Sequence, residues 1–339
     1  MRVIKILSIS AILLLSGING FGQVLSFYER FDFLQASPSV FQEGALGVAN
    51  PANLHYLKNQ EYQLGLIIDE KNDNSFKNWS FAAASPGIGF GLIHRNLGGG
   101  SINSYFLSLA FGNEADAFGI GYSWHSSSNE DIGLEKQLVF SAISRSERII
   151  SISLTHRMSL ESRWSETVGE VGFRPLGTKA LTFFGDIAIK RGEELRDSPN
   201  SYGFIFEPEK GIHLIGRFFK NNSFTLSVNI CLGNSSVRAQ PHYNNNKATR
   251  YSFNLRYGGL RPSVIDEKIN RNKKYIPMNL KGTIAYNKYV FFDGGTKRLM
   301  DILSDVRAAV DDPRISALVL NLSGMRIYPE HAWEIREEL

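Results

Sequence analysis

Cysteine occurs once in the 339 residues, at Cys231. A lone thiol excludes an intramolecular disulfide framework and any cysteine-based zinc cluster. Charge of one sign is scarce as well. The 37 Lys and Arg stand against 33 Asp and Glu, a net +4, and no run of five or six basic residues occurs, so nucleic-acid binding has no electrostatic footprint. After Gln23 there is no apolar stretch of about 18 residues, so no transmembrane helix is predicted. HExxH, Walker, GxSxG and Cys/His patterns are all missing, which leaves no expected cofactor or metal site. The 31 Gly and 11 Pro show no collagen-like period.

Aromatic residues are abundant: 23 Phe, 13 Tyr and 4 Trp. With plentiful Gly and Ser, this is a strand-former's composition. The first 22 residues, MRVIKILSISAILLLSGINGFG, carry Arg2 and Lys5 before a short apolar core and small residues before Gln23. That order predicts a secretory signal peptide, the core being too short to span a bilayer.

Between about 60 and 258 the hydrophobic period is two. Phe118, Ile120, Tyr122 and Trp124 alternate with Gly119, Gly121, Ser123 and His125; Phe224, Leu226, Val228 and Ile230 alternate with Thr225, Ser227, Asn229 and Cys231. Fourteen such segments are expected, near 60–69, 79–85, 87–95, 104–112, 116–125, 135–144, 147–157, 166–175, 178–188, 201–207, 210–219, 223–232, 235–243 and 248–257. A secreted β-sandwich also alternates, burying its apolar face between two sheets. Segments of about 9–11 residues favour a tilted strand crossing a bilayer over the globular mean of about 5–6. Trp124, Tyr243, Tyr251 and Tyr257 fall at strand ends, where an interfacial girdle sits. The expected fold class is therefore mainly β: a transmembrane antiparallel barrel of about fourteen strands in the outer membrane of a Gram-negative bacterium, with lipid as its partner.

Closure follows from the solvent. Hydrocarbon offers no partner for backbone N–H and C=O, so only a sheet closed on itself satisfies every group. Parity then assigns Arg157, Glu170, Arg174, Asp186, Lys190, Arg217, Arg238, His242, Arg250 and Arg256 to the lumen. This set leans basic, and reads either as a path or platform for anions or as a solvated wall with internal ion pairs. Gly87, Gly89 and Gly91 leave inward room for a plug or loop.

The segment 41–54, FQEGALGVANPANL, precedes the first strand and reads as compact and non-helical. Its run from Gly44 through Asn50-Pro51-Ala52 resembles the amino-terminal hatch of FadL-type fatty acid transporters and related outer-membrane proteins. That resemblance implies a segment lodged in a fourteen-stranded barrel and, as one reading, uptake of hydrophobic compounds.

The pattern changes after Tyr257. A polar linker, 259–275, leads to a strand over 276–285 and a turn at Gly294-Gly295 with Thr296 as N-cap. A helix with Leu299, Ile302, Leu303, Val306 and Val310 on one face follows, ending at Asp311-Asp312-Pro313. Residues 315–322, ISALVLNL, read as a strand buried on both faces, and 329–339 begin another helix. Strand, helix, strand, helix predicts a right-handed βαβ unit.

These residues resemble the opening of a family S49 peptidase domain, the signal peptide peptidase A or protease IV group with a ClpP/crotonase-like fold. The resemblance rests on Leu280-Lys281-Gly282-Thr283-Ile284, Asp311 to Ile315, Ala317 to Leu322 and Glu334-Ile335-Arg336. It implies a serine endopeptidase using a Ser–Lys pair on peptide substrates. In the family both catalytic residues lie downstream of the second helix, beyond Leu339, so no catalytic residue is named and the segment reads as an incomplete, inactive portion. Ser323 and Gly324 occupy the family's oxyanion-turn position but lack its Pro and second Gly. Lys281 and Ser323 do not match the dyad positions. The expected organisation is a signal peptide (1–22), a plug-like segment (23–59), a barrel (60–258), a linker (259–275) and a truncated S49-like α/β segment (276–339), the last placed in the periplasm. A secreted β-domain that binds a partner is the remaining alternative.

Overall fold

The computed structural model describes residues 26–31, 33–69, 77–96, 100–113, 115–128, 135–145, 149–245, 247–264, 274–287, 296–310, 312 and 315–339; the expected signal peptide lies outside them. The chain forms two compact units, Met1–Val264 and Ile265–Leu339.

The first unit is a closed antiparallel barrel of fourteen strands. They are β1 (Glu61–Asp69), β2 (Asn78–Ser85), β3 (Ile88–Asn96), β4 (Ser101–Gly112), β5 (Asp116–Ser127), β6 (Gln137–Ser144), β7 (Ile150–Ser159), β8 (Ser165–Phe173), β9 (Leu181–Lys190), β10 (Asn200–Glu209), β11 (Ile212–Phe219), β12 (Phe224–Cys231), β13 (Ser235–Asn244) and β14 (Lys247–Gly258). Each strand pairs with its sequence neighbour, and β1 closes on β14 from Glu61↔Gly258 to Asp69↔Arg250. Each of the fourteen expected segments coincides with one strand.

The side-chain alternation sorts outside from inside. On β4, Leu107, Leu109 and Phe111 are 44%, 47% and 62% exposed, while the inward Ile102, Phe106 and Ser108 are buried. In water such an exposed apolar band would be costly; against hydrocarbon it is the favourable arrangement. The rim where β1 begins and β14 ends, here the near rim, has tight connections such as 86–87 and 210–211. At the opposite, far rim the connections 70–77, 128–136 and 191–199 are longer. Gly87, assigned to the inner face by parity, instead sits in the near-rim turn with φ +81°, a conformation only glycine adopts cheaply.

The core lies within the lumen. Phe27, Phe31, Phe33, Leu34, Val40, Phe41, Leu46 and Val48 pack against inward-facing Ile93, Phe106, Val168, Phe184, Ile205 and Ile215. The inner wall is thus partly apolar where parity suggested a polar one, because it faces protein.

In the second unit β15 (Lys274–Asn279) lies parallel to β18 (Ile315–Asn321), and β16 (Gly282–Ala285) lies parallel to both β17 (Thr296–Arg298) and β19 (Met325–Arg326). The helices here are Leu299–Val310 and Pro329–Glu338. Leu280, Ile284, Leu299, Ile302, Leu303 and Ile335 form its core. Several expectations are corrected. The strand over 276–285 is broken at Leu280-Lys281, where Leu280 turns inward as a core residue and its N–H donates to Asn321 O at 2.9 Å. Thr296 extends a strand and does not cap the helix. Val310 is 69% exposed, and Val319 on β18 is 51% exposed, so that strand is not covered on both faces. The expected turn at Gly294-Gly295, and Asp311 and Pro313, lie outside the described residues.

Candidate functional site: an arginine-lined lumen filled by the amino-terminal segment

Residues 26–57 form a plug that threads the barrel from far rim to near rim. It starts with α1 (Phe27–Arg30), a single turn held by a capping box: Ser26 N–H donates to Glu29 Oε2 at 2.8 Å, and Glu29 N–H donates back to Ser26 Oγ at 3.4 Å. It continues through α2 (Leu46–Ala49) and a 3-10 helix, Pro51–Tyr56. These helical turns correct the non-helical reading of 41–54. The Asn50-Pro51-Ala52-Asn53 run has a clear local role. Asn50 Oδ1 accepts from Ala52 N–H at 3.1 Å and so caps the 3-10 helix, while its Nδ2 donates to Ser153 Oγ on β7 at 2.7 Å. Asn53 Nδ2 donates to the carbonyls of Pro38 and Phe41 at 2.6 and 2.9 Å, tying the plug to itself.

Glycines on the inner wall receive the plug. A Cβ on Gly119 would lie 2.3 Å from Ala52 N, one on Gly91 2.4 Å from Val48 Cγ2, and one on Gly89 2.9 Å from Leu54 Cδ1. The wall is cut away where the plug passes, against its backbone at Gly119 and its side chains at Gly91 and Gly89.

Arginines supply the polar attachment. Arg157 Nη2 donates to the carbonyls of Val48 and Ala49 at 2.7 and 2.8 Å, the buried C-terminal end of α2, where a cation is also favoured by the helix dipole. Arg217 Nη1 donates to Leu34 O at 3.1 Å, Arg174 Nη2 to Val40 O at 3.3 Å, and Arg145 to Ser39 O and Pro38 O at 3.0 and 3.1 Å. Near the far rim Arg95 Nη2 donates to Arg30 O at 2.6 Å. A guanidinium, with its fixed fork of donors, suits this bridging of adjacent carbonyls.

Buried carboxylates complete the set. Asp186 accepts from Arg217 Nη2 at 3.0 and 3.1 Å, from Tyr28 Oη at 2.5 Å, from Ser201 Oγ at 2.7 Å, and from Ser37 Oγ. Glu170 Oε2 accepts Ser39 N–H at 2.7 Å. Glu166 pairs with Arg30 and accepts Phe27 N–H at 3.0 Å. Glu43 pairs with Arg238 near the other end. Burial pushes the Glu43 carboxyl up, but Arg238 and Arg261 outweigh it and hold the group below its ordinary value of 4.5.

Of the residues that parity assigned to the lumen, Arg157, Glu170, Asp186, Arg217, Arg238 and Arg256 are buried there, and Arg174, just past β8, is buried at the near end. Lys190, His242 and Arg250 are half-buried toward the far rim. His242 Nε2 shares a hydrogen bond with Ser252 Oγ at 2.8 Å, and Lys190 Nζ is 3.7 Å from Glu193. Ser323 and Gly324 form a turn in the second unit, with Ser323 N–H on Asn321 Oδ1 at 3.0 Å and Gly324 at φ +68°. Sequence reading missed Tyr28, Arg30, Glu43, Glu61, Arg145 and Arg261. Glu166 was legible, since it shares parity with Glu170 on one strand; the plug partners were not, because irregular backbone has no period. Among the described residues no group of three or more His, Cys, Asp or Glu side chains could hold a metal ion.

No family model matches the chain, and no curated protein matches it. Among solved structures the chain is similar to the CymD monoaromatic hydrocarbon channel (10% identity over 65% of this chain and 94% of that one, TM-score 0.47). It is also similar to the KdgM porin (11%, 59% and 99%, TM-score 0.34) and to a triple mutant of the Rhodopseudomonas blastica porin (6%, 59% and 99%, TM-score 0.38). These likenesses concern barrel architecture alone.

Proposed function

We propose that the protein is an outer-membrane barrel with a permanently occupied lumen, acting as an anchor for the α/β unit that follows it. The observation that carries this reading is the mode of plug attachment: Arg95, Arg145, Arg157, Arg174, Arg217 and Arg261 all donate to plug backbone carbonyls. The basic lumen is committed to protein, and so does not serve as an anion path. The outward apolar band supports a lipid environment over a secreted domain. Short near-rim and longer far-rim connections support a near rim in the periplasm, and a periplasmic location of the second unit is part of this reading. The second unit is read as resembling the opening of an S49 peptidase domain, and none of residues 276–339 is assigned to the family's Ser–Lys pair.

The test is electrical and electrophoretic. The full chain in a planar bilayer is expected to show a compact unheated band in cold SDS and no steady conductance, while removal of 26–57 opens an ohmic pore. A steady conductance from the unaltered chain would overturn the occluded-anchor reading.

A further inference from the structure

The chain leaving β14 does not swing free of the barrel. Arg261 N–H donates to Gly233 O at 3.2 Å, and Ser263 pairs with Leu232 as an isolated bridge. Gly211, at φ +93°, lets its turn come so close to this tether that a Cβ would lie 2.8 Å from Pro262 O. Residues 259–264, expected to be linker, are thus laid along the near rim.

From there the Arg261 side chain reaches inward. Nη2 donates to Gln42 O of the plug at 2.6 Å and to Glu61 Oε1, at the start of β1, at 2.7 Å; Nη1 lies 3.8 Å from Glu43 Oε1. The other Glu61 oxygen accepts Gly44 N–H of the plug at 2.9 Å. Arg256, at the end of β14, lies 3.5 Å from Glu61 Oε1 and donates to Gly259 O at 3.1 Å. Glu43 and Arg238 complete a group of three cations and two anions, its surplus charge met by backbone carbonyls. The group joins three things at one point: the plug, the seam where first and last strands meet, and the tether of the second unit.

We propose that Arg261 bolts the tether to the plug, so that the two are one coupled element: displacing the tether loosens the near end of the plug, and loosening the plug frees the tether. Buried ion pairs respond steeply to loss of one partner because the other is left uncompensated. Coupling of this kind is reciprocal, so each end must report a change made at the other.

The experiment uses the full chain in detergent micelles, with Cys231→Ser removing the native thiol. Single reporters Ala45→Cys on the plug and Ser263→Cys on the tether replace residues that are 7% and 2% exposed. Labelling by a polar maleimide is timed for each. Arg261→Gln is expected to speed labelling at Ala45→Cys by roughly fivefold or more, and Glu43→Gln to speed labelling at Ser263→Cys by a similar factor. Arg261→Lys, which keeps the charge and loses the fork, falls between. Protection of either reporter against the substitution at the far end, with the compact unheated band retained, overturns the proposal. Loss of that band in all three variants also overturns it, since the cluster would then hold the barrel and not couple two parts of it.

Discussion

Arg217 on β11 and Asp186 on β9 form an ion pair in which Nη2 contacts both carboxylate oxygens, at 3.0 and 3.1 Å, and neither side chain is more than 2% exposed. The same carboxylate takes the Tyr28 hydroxyl of the plug, and the same guanidinium takes Leu34 O. Wall strength and plug retention therefore share one pair. Arg217→Ala is expected to destabilise the barrel by about 3–5 kcal/mol, because Asp186 is left charged and buried. Replacing both, Arg217→Met with Asp186→Asn, is expected to recover much of that loss. The readout is the midpoint temperature at which the compact band converts to the unfolded one; a double variant as weak as Arg217→Ala contradicts the account.

Plug seating depends on missing side chains. Gly119→Leu drives a side chain into the backbone at Pro51 and Ala52, whereas at Gly169 the nearest atom to an added Cβ is Ile187 Cγ2 at 3.9 Å. The expected outcome is protease cleavage within 26–57 for Gly119→Leu and a wild-type digestion pattern for Gly169→Ala. Equal resistance in the two variants would show that the plug does not rely on that close approach.

Acid is expected to weaken the near end. The Glu43 carboxyl is held below 4.5 in the folded chain. Its stabilisation is full above that pH and is lost as the pH falls through the lowered folded value, leaving Arg238 buried beside a neutral acid. The rate of labelling at Ala45→Cys, taken relative to the unfolded chain at the same pH, should therefore rise as the pH falls through the lowered folded value, and rise less in Glu43→Gln, which has no proton to take up. Identical acid profiles in the two chains would remove Glu43 from the explanation.

The two rims are expected to face opposite compartments. Leu260, 72% exposed beside the near rim, and Leu195, 64% exposed in the far-rim connection 191–199, are suitable positions for single cysteines. In intact cells carrying the Cys231→Ser chain, an impermeant maleimide should label Leu195→Cys, and should reach Leu260→Cys only after the outer membrane is opened. The reverse order would turn the barrel over.

Much of the barrel was legible because its rule is local. An inward Ser123 or Arg157 and an outward Tyr122 or Met158 follow from the pleat alone, since successive side chains point to opposite faces and one face meets lipid. Inward apolar residues such as Phe106 and Ile215 depart from that pattern, and they are the surface against which the plug packs. The break at Leu280-Lys281 was illegible for a similar reason. An apolar run does not reveal where one parallel strand stops and the next begins until Leu280 finds its place in the core against Ile284 and Leu303.

From the sequence alone one could determine the number and alternation of the barrel strands, the emptiness of the glycine positions and the basic lean of the lumen, because each is set by a period of two and a bilayer-sized length. Only the tertiary structure decided what the basic residues do. Read by parity, Arg157 and Arg217 were open to lining a path for anions; in the fold they hold the carbonyls of Val48 and Leu34, since a chain buried in a lumen must have its backbone groups paired by the wall. The meeting of Glu43, Glu61 and Arg261, distant in sequence, likewise exists only once the first strand closes on the last.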